Sequence, residues 1–272
     1  MGKLIFFDID GTLVDFNGEI PVSTKVALLA AKEEGHKMFL CTGRSRTQIY
    51  PWLYDYGFSG AVSSAGASVT SDGKEIFHRI VEMEELRRFV SYFEPRQICY
   101  ALQTASGVVM TRSAKEQMER RFLRQGMPRE KIDAIFGGTT ISAHPEETPD
   151  VEKMIYYDAI DPVSVVQEEL GDYYDVLPAS YDDPDDYCGE VTIRGVNKAT
   201  GMQALLDYFH MTREDTVAFG DGPNDLDMLK FAGIGVAMGN GYEQAKACAD
   251  MVTSHIQDDG ISNALKKLKL IS

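Results

Sequence analysis

The stretch that most constrains this chain is Leu4 to Thr12, which reads LIFFDIDGT. Leu4 to Phe7 is an apolar run of strand length, the signature of a buried strand. It ends in Asp8, Ile9, Asp10, Gly11 and Thr12. Two carboxylates placed two residues apart at the end of a buried strand are costly unless something uses their charge. In an open α/β sheet, the carboxyl end of a strand is also where ligands bind. Asp8 and Asp10 are therefore read as the chemical centre.

The chain alternates after that strand. A loop from Val14 to Pro21 leads to a helix over 24–34, with Val26, Leu29 and Ala30 as its apolar positions and Gly35 as its stop. A strand over 37–41 ends in Thr42-Gly43-Arg44, and a helix carrying Ile49, Trp52 and Leu53 runs to Gly57. A third strand, 60–64, ends in Ala65-Gly66-Ala67. Strand, helix, strand, helix, strand predicts a parallel sheet with crossover helices.

The rhythm changes from about Glu82 to Arg194. A helix (84–93), two strands (99–102, 107–111) and a helix (114–124) are expected first. A turn-rich stretch (126–149), a strand (153–157), a helix (162–170) and two strands (173–179, 188–194) follow. Strands adjacent in sequence favour antiparallel pairing, hence an α+β insert. The first rhythm resumes with a helix over 199–208 and a strand over 216–219 that ends in Gly220-Asp221-Gly222-Pro223-Asn224-Asp225. A helix (226–231), a strand (234–237), a helix (243–249), a short strand (251–253) and a helix (261–268) close the pattern. The expected division is residues 1–82 and 195–272 as one domain and 83–194 as the insert. The acidic run 182–186 lacks the glycine and terminal glutamate of a calcium loop and reads as a solvated turn.

Composition narrows the function classes. The formal net charge is −15, which argues against nucleic-acid or anionic-membrane partners. No apolar stretch has bilayer-spanning length, and the N-terminus enters a strand without a signal-peptide pattern. Cys41, Cys99, Cys188 and Cys248 are scattered, which favours reduced thiols over disulfides or a zinc site, and a cytoplasmic location. An anionic substrate would need local positive potential against this background.

Four sets of polar residues can meet that requirement, through a lysine and through carboxylates that suit a bound metal. Asp8/Asp10, Thr42-Gly43 and Asp221/Asn224/Asp225 each follow a strand, and Lys198 opens the helix after the insert. In a parallel sheet these strand ends share one edge. A carboxylate cluster suits magnesium, usually completed by substrate phosphate. Lys198 is a point charge for a phosphate oxygen, and a threonine hydroxyl and backbone N–H groups are neutral donors. One aspartate can attack phosphorus while another moves a proton. Taken singly, each motif has an ordinary explanation as a cap, a turn or a surface lysine; the case rests on all four occurring in order.

These motifs resemble the haloacid dehalogenase (HAD) superfamily of phosphohydrolases, and most closely its Cof-like branch of sugar-phosphate phosphatases. The matching stretches are FFDIDGTL (6–13), LCTGR (40–44), VNKATGMQALL (196–206) and FGDGPNDLDML (219–229). The resemblance implies a Rossmann-like α/β core, a parallel sheet with helices on both faces, plus an inserted α+β cap domain that closes over the site. It implies Asp8 as the nucleophile forming an aspartyl-phosphate, and Asp10 as general acid/base whose main-chain carbonyl also binds Mg2+. Asp221 would be the third metal ligand. Thr42, Gly43 and Lys198 would hold phosphate, Asn224 would contact phosphate or orient Lys198, and Asp225 would sit in the outer shell and position the metal site or Lys198. The implied partner is a small phosphorylated metabolite, in class a sugar phosphate. The sequence does not specify an oligomeric state.

One departure stands out. Many Cof-like relatives carry Asn-Gly-Ala after the third strand, where this chain has Ala65-Gly66-Ala67, so one amide near the pocket mouth is missing. Gly239-Asn240-Gly241 faintly resembles a dinucleotide fingerprint, but it lies late in the chain with no acidic partner strand, and no cofactor role is expected. Cys41 reads as a small buried residue rather than a nucleophile. The arginines at 112, 120, 121 and 124 read as one exposed helix face. Two other activities are compatible with the motifs: a phosphotransferase or phosphomutase using the same aspartyl-phosphate, and a non-catalytic phosphate-binding protein.

Overall fold

The computed structural model describes residues 2–15, 18–179 and 187–272. The acidic run 182–186 lies outside the described residues. The chain forms two compact units, one of residues 1–44, 49–78 and 196–272, the other of residues 45–48 and 79–195.

In chain order, the first unit opens with β1 (Leu4–Phe7), α1 (Val22–Glu33), β2 (Lys37–Cys41), β3 (Phe58–Ser63), β4 (Ser68–Ser71) and β5 (Lys74–His78). The second unit contains α2 (Met83–Phe93), β6 (Cys99–Thr104), β7 (Gly107–Met110), α3 (Arg112–Arg124), α4 (Arg129–Phe136), β8 (Thr140–Ile141), β9 (Val151–Tyr157), α5 (Val163–Leu170), β10 (Tyr174–Pro178) and β11 (Gly189–Ile193). The first unit then resumes with α6 (Lys198–Phe209), β12 (Thr216–Gly220), α7 (Leu226–Phe231), β13 (Ile234–Ala237), α8 (Glu243–Cys248), β14 (Met251–Val252) and α9 (Gly260–Lys267).

The first unit's sheet runs β14-β13-β12-β1-β2-β3-β4-β5. From β14 to β3 every pairing is parallel, with Phe7 opposite both Leu40 and Phe219. Strand β1 is central, which explains its unbroken apolar run. Ile5 and Phe7 face one core with Ala27, Leu28 and Ala31 of α1 and Ile261 and Leu265 of α9. Leu4 and Phe6 face the opposite core with Met202 and Leu205 of α6, Met228 of α7 and Ala245 of α8. Helices thus cover both faces of a largely parallel sheet, as expected from the alternating pattern.

Four local expectations need correction. Helix α1 buries Thr24, Ala27, Leu28 and Ala31, while Val26 and Leu29 are exposed. The i, i+3, i+4, i+7 stripe is present, but its small side chains are the ones that pack closely on the sheet. The segment with Trp52 forms two 3-10 turns, Arg46–Gln48 and Pro51–Tyr56, instead of an α-helix. Pro51 lacks an N–H and biases Tyr50 toward its extended conformation. The core sheet also gains an antiparallel hairpin, β4–β5, beyond β3. Its turn is Asp72-Gly73, both at positive φ (47° and 77°), a strong local hairpin signal. In the second unit, the stretch expected as turns holds α4 and β8. Pro128 and Gly137 punctuate that segment, but here they bracket an eight-residue helix that buries Ile132 and Phe136.

The second unit's sheet runs β10-β11-β9-β6-β7-β8, antiparallel except for the β7–β8 pair. Along β6, Tyr100 joins an aromatic cluster with Phe89 and Phe93 of α2 and Tyr156 of β9. Its neighbours Cys99 and Ala101 pack with Met118 of α3 and Phe136 of α4. Of the four arginines expected on one exposed face, Arg121 is instead half-buried and pairs with Asp158.

Where β3 ends, Ser64, Ala65 and Gly66 follow one another at positive φ (49°, 55° and 108°). This strained turn is tied to the Thr42-Gly43-Arg44 motif after β2: Ser64 N–H donates to the Arg44 carbonyl (2.7 Å) and Ala65 N–H to that of Thr42 (3.0 Å). Ala65 lies in the left-handed region, which costs a residue with a Cβ about 1–2 kcal/mol. Asparagine, the residue of many Cof-like relatives, tolerates that conformation. Removing the Cβ relieves the strain, less the extra freedom glycine brings to the unfolded chain. Ala65→Gly is expected to raise stability by about 0.5–1 kcal/mol, read as a higher urea midpoint at unchanged m.

Candidate active site

Parallel pairing puts the carboxyl ends of β1, β2, β3 and β12 on one edge of the sheet, and the polar motifs occupy those ends. The Asp8 N–H donates to the Phe219 carbonyl (2.9 Å) and so continues the β1 ladder. Its carboxylate is buried. The next residues turn sharply. Gly11 sits at φ +86°, and a Cβ there would lie 2.3 Å from the Asp221 carboxylate, so only glycine lets the turn approach β12 this closely. Thr12 Oγ1 donates to Asp221 Oδ1 (2.7 Å).

Lys198 is the first residue of α6. The helix is capped by Asn197, whose side chain accepts from Thr200 N–H and whose amide donates to Asp227 (2.9 Å). Lys198 Nζ is fully buried and donates to Asp8 Oδ1 (2.7 Å) and Asp225 Oδ1 (2.5 Å). Two of its three donors are thus used, leaving one. Asp225 Oδ2 accepts from the N–H groups of Asp221 (2.9 Å) and Gly222 (2.8 Å). Both Asp225 oxygens are committed, so it serves as a brace between Lys198 and the Asp221 loop.

Asp8, Asp221 and Asp225 form a buried cluster with one carboxylate oxygen from each within 4.8 Å of the others. Three carboxylates against one ammonium leave the cluster short of positive charge. Burial, with the charges of Asp225 and Asp221, holds the Asp8 carboxyl well above the usual carboxylate range, and Lys198 only partly offsets them. Burial and the Asp225 charge push Asp221 up to about 7, with Thr12 and Lys198 opposing. Burial disfavours the Lys198 charge, but Asp225 and Asp8 outweigh it and hold the ammonium protonated. The second oxygens of Asp8 and Asp221 accept no hydrogen bond among the described residues. Two crowded carboxylates with unspent oxygens and a charge deficit are the donor set of a hard divalent cation.

The remaining expected site residues lie around this cluster. Thr42 is buried, and its Oγ1 accepts the Arg44 N–H (3.1 Å), which leaves its own proton free to donate. Gly43 is half-buried. Asn224 is half-buried in the loop before α7, and its amide makes no hydrogen bond among the described residues. The Asp10 side chain does not join the buried cluster. It is largely exposed and is gripped by Arg44, with Nε to Oδ2 and Nη2 to Oδ1 both at 2.7 Å.

Three structural partners escape a motif-by-motif reading. Arg44 stands inside LCTGR, but only the fold brings it to Asp10. Thr12 stands inside the first motif, yet its partner Asp221 is far away in sequence. Asn240, in the segment with the faint dinucleotide pattern, donates to the Gly11 carbonyl (2.7 Å) and accepts the Ile256 N–H (2.9 Å). It braces the turn that follows β1 against the Ile256 segment. The Cys41 thiol is fully buried, and burial pushes its pKa up. All four cysteines are free thiols. Among the described residues, no helix is long and apolar enough to cross a membrane.

Comparison with known proteins places the chain in a family. The profile of the haloacid dehalogenase-like hydrolases matches residues 5–265. YkrA of Bacillus subtilis (strain 168) is 30% identical over 271 residues, covering 99% of this chain and 98% of its own. YitU of the same organism, a 5-amino-6-(5-phospho-D-ribitylamino)uracil phosphatase, is 27% identical over 280 residues, covering 97% and 96%. The structure of the HAD subclass IIB sugar phosphatase BT4131 superposes with a TM-score of 0.80 at 29% identity, covering 99% of this chain and 100% of that one. The chain therefore belongs to the haloacid dehalogenase-like hydrolases, as a phosphatase of that superfamily.

Proposed function

We propose that the enzyme hydrolyses a small phosphorylated metabolite, a sugar phosphate or similar polyol phosphate, with Mg2+ and through an aspartyl-phosphate on Asp8. The observation that carries this reading is the buried Asp8 carboxylate, oriented by Lys198 on one oxygen and unspent on the other. The ligands named for YitU and BT4131 support a polyhydroxylated leaving group.

Asp8 and Asp221, with the main-chain carbonyl of Asp10, would hold the metal. When bound, magnesium supplies the charge compensation that lets an anionic nucleophile meet an anionic substrate. The third donor of Lys198, the Thr42 hydroxyl, the Gly43 N–H and the Asn224 amide bind the transferring phosphoryl oxygens. Asp225 keeps Lys198 in place. An Asp8 oxygen forms a bond to phosphorus. The bond to the leaving oxygen breaks, its electron pair goes to that oxygen, and Asp10 gives it a proton. Water then attacks the aspartyl-phosphate and passes its proton to Asp10. The phosphorus–Asp8 bond breaks and returns its electron pair to the carboxylate. Residues 79–195 are assigned the role of the cap that selects the leaving group, as the resemblance implies.

Phosphate release from a panel of sugar phosphates, nucleotides and p-nitrophenyl phosphate tests the reading. Activity is expected to disappear after exhaustive EDTA treatment and to return with Mg2+. At about 100 times its dissociation constant, the metal is expected to add about 2.7 kcal/mol of stability, a rise in Tm of roughly 5–10 °C. Asp221→Asn is expected to abolish that rise. A flat panel in the presence of Mg2+, or an Asp221→Asn protein that keeps the shift, would overturn the proposal.

A further inference from the structure

Asp10 carries the proton in the proposed reaction, yet its carboxylate points into solvent, where an aspartate ordinarily samples several rotamers. Here both oxygens are held. The Arg44 guanidinium donates to each at 2.7 Å in a planar fork. The same guanidinium is fixed from behind: it lies 4.4 Å from the centroid of the Tyr50 ring and donates to Tyr50 Oη (3.2 Å). The Tyr50 ring stacks in turn on Trp52 (5.5 Å, 16° between planes), and Tyr56 packs edge-on against Trp52. The Arg44 carbonyl is tied to the strained Ser64 turn. Asp10 therefore stands at the end of a continuous train of contacts running through Arg44 and Tyr50 to Trp52. Surface ion pairs of flexible side chains contribute little to stability. A buttressed bidentate fork at the reacting edge of the sheet makes better sense as an orienting device.

We infer that Arg44 is a positioning residue, which holds the Asp10 carboxylate in the orientation needed to take a proton from the water that hydrolyses the aspartyl-phosphate. The inference rests on the function proposed above and deepens it. In the step concerned, the water oxygen bonds to phosphorus, one water proton passes to an Asp10 oxygen, and the phosphorus–Asp8 bond breaks with its electron pair returning to Asp8. Loss of the fork leaves Asp10 chemically intact but unoriented, which slows this second half-reaction.

p-Nitrophenyl phosphate isolates that half. Its leaving group departs without a proton, so kcat/KM reports phosphoryl transfer to Asp8, while kcat reports hydrolysis of the phosphoenzyme once that becomes slow. With the magnesium-loaded enzyme, Arg44→Ala is expected to lower kcat and KM together by about 10- to 100-fold. The burst of p-nitrophenolate should rise toward one equivalent per enzyme. Arg44→Lys, which keeps the charge but not the fork, should recover only part of kcat. Asp10→Asn should show the same rise in burst, and adding Arg44→Ala to it should cost little more. If kcat/KM falls as far as kcat in both Arg44 variants without a larger burst, the residue is merely structural and the inference is wrong. If Asp10→Asn gives the burst and Arg44→Ala does not, the inference fails while the proposed function stands. If Asp10→Asn gives no burst, the proton-carrier reading of Asp10 falls and the Arg44 inference with it.

Discussion

Asp8→Asn is expected to abolish turnover, by roughly 10⁴-fold or more in kcat, because an amide cannot attack phosphorus. The change is nearly isosteric and leaves Lys198 paired with Asp225 at 2.5 Å, so the fold should remain intact. It also removes one charge from a cluster of three buried carboxylates. Burial and its two carboxylate neighbours disfavour the Asp8 charge, so the variant is expected to unfold no earlier than the wild type without metal. Asp8→Glu should not restore activity, since one more methylene displaces the attacking oxygen from the position that Lys198 sets. Steady-state phosphate release and a thermal melt read both halves of the prediction. Substantial turnover by Asp8→Asn would remove Asp8 from the role of nucleophile.

Lys198→Met is the second large effect, and here stability and activity fall together. Lys198 is fully buried between two carboxylates that are themselves buried. Removing the ammonium leaves Asp8 and Asp225 without their shared counter-charge. Breaking a buried pair from one side costs about 3–5 kcal/mol. For a chain of this size that corresponds to a fall in Tm of very roughly 6–20 °C. The phosphoryl group loses its cation at the same time, so activity should fall even at temperatures where the variant is folded. Lys198→Arg keeps the charge, but the larger planar fork has no room in a site closed by Asp8 and Asp225, and it should not rescue. A variant that melts like the wild type would mean that Lys198 is not the electrostatic keystone of the site.

Much of the core was legible because its signals are local. β1, β2, α7 and β13 lie where hydrophobic runs and their stops place them. The unbroken apolar run of β1 says that both its faces are buried, and the packing of Leu4 and Phe6 on one side and Ile5 and Phe7 on the other is what that requires. Structure departs from the local pattern where two local signals compete. In α1 the apolar set Val26, Leu29 and Ala30 competes with the stripe Thr24, Ala27, Leu28 and Ala31, and it is the second that is buried. Around Trp52 a helical spacing of apolar residues met Pro51, which keeps Tyr50 extended and splits the segment into two short 3-10 turns. The β4–β5 hairpin was announced by Asp72-Gly73 but hidden in short polar strands.

By itself the sequence determined which chemical groups stand at the strand ends: two aspartates after β1, a threonine after β2, a lysine opening α6 and an acidic loop after β12. Strand runs and turn residues are set within a few residues of one another, so they survive translation from sequence to structure. The tertiary structure alone decided which partners those groups meet. Asp225 is withdrawn from direct service because Lys198 and two backbone N–H groups occupy its oxygens. The Asp10 carboxylate stands outside the buried cluster in the fork of Arg44, and Asn240 donates to the Gly11 carbonyl in the turn that follows Asp10. The physical reason is that a hydrogen bond commits an oxygen only when a donor arrives within about 3 Å of it. Such distances arise where distant segments meet at one edge of a sheet, and no spacing along the chain records them.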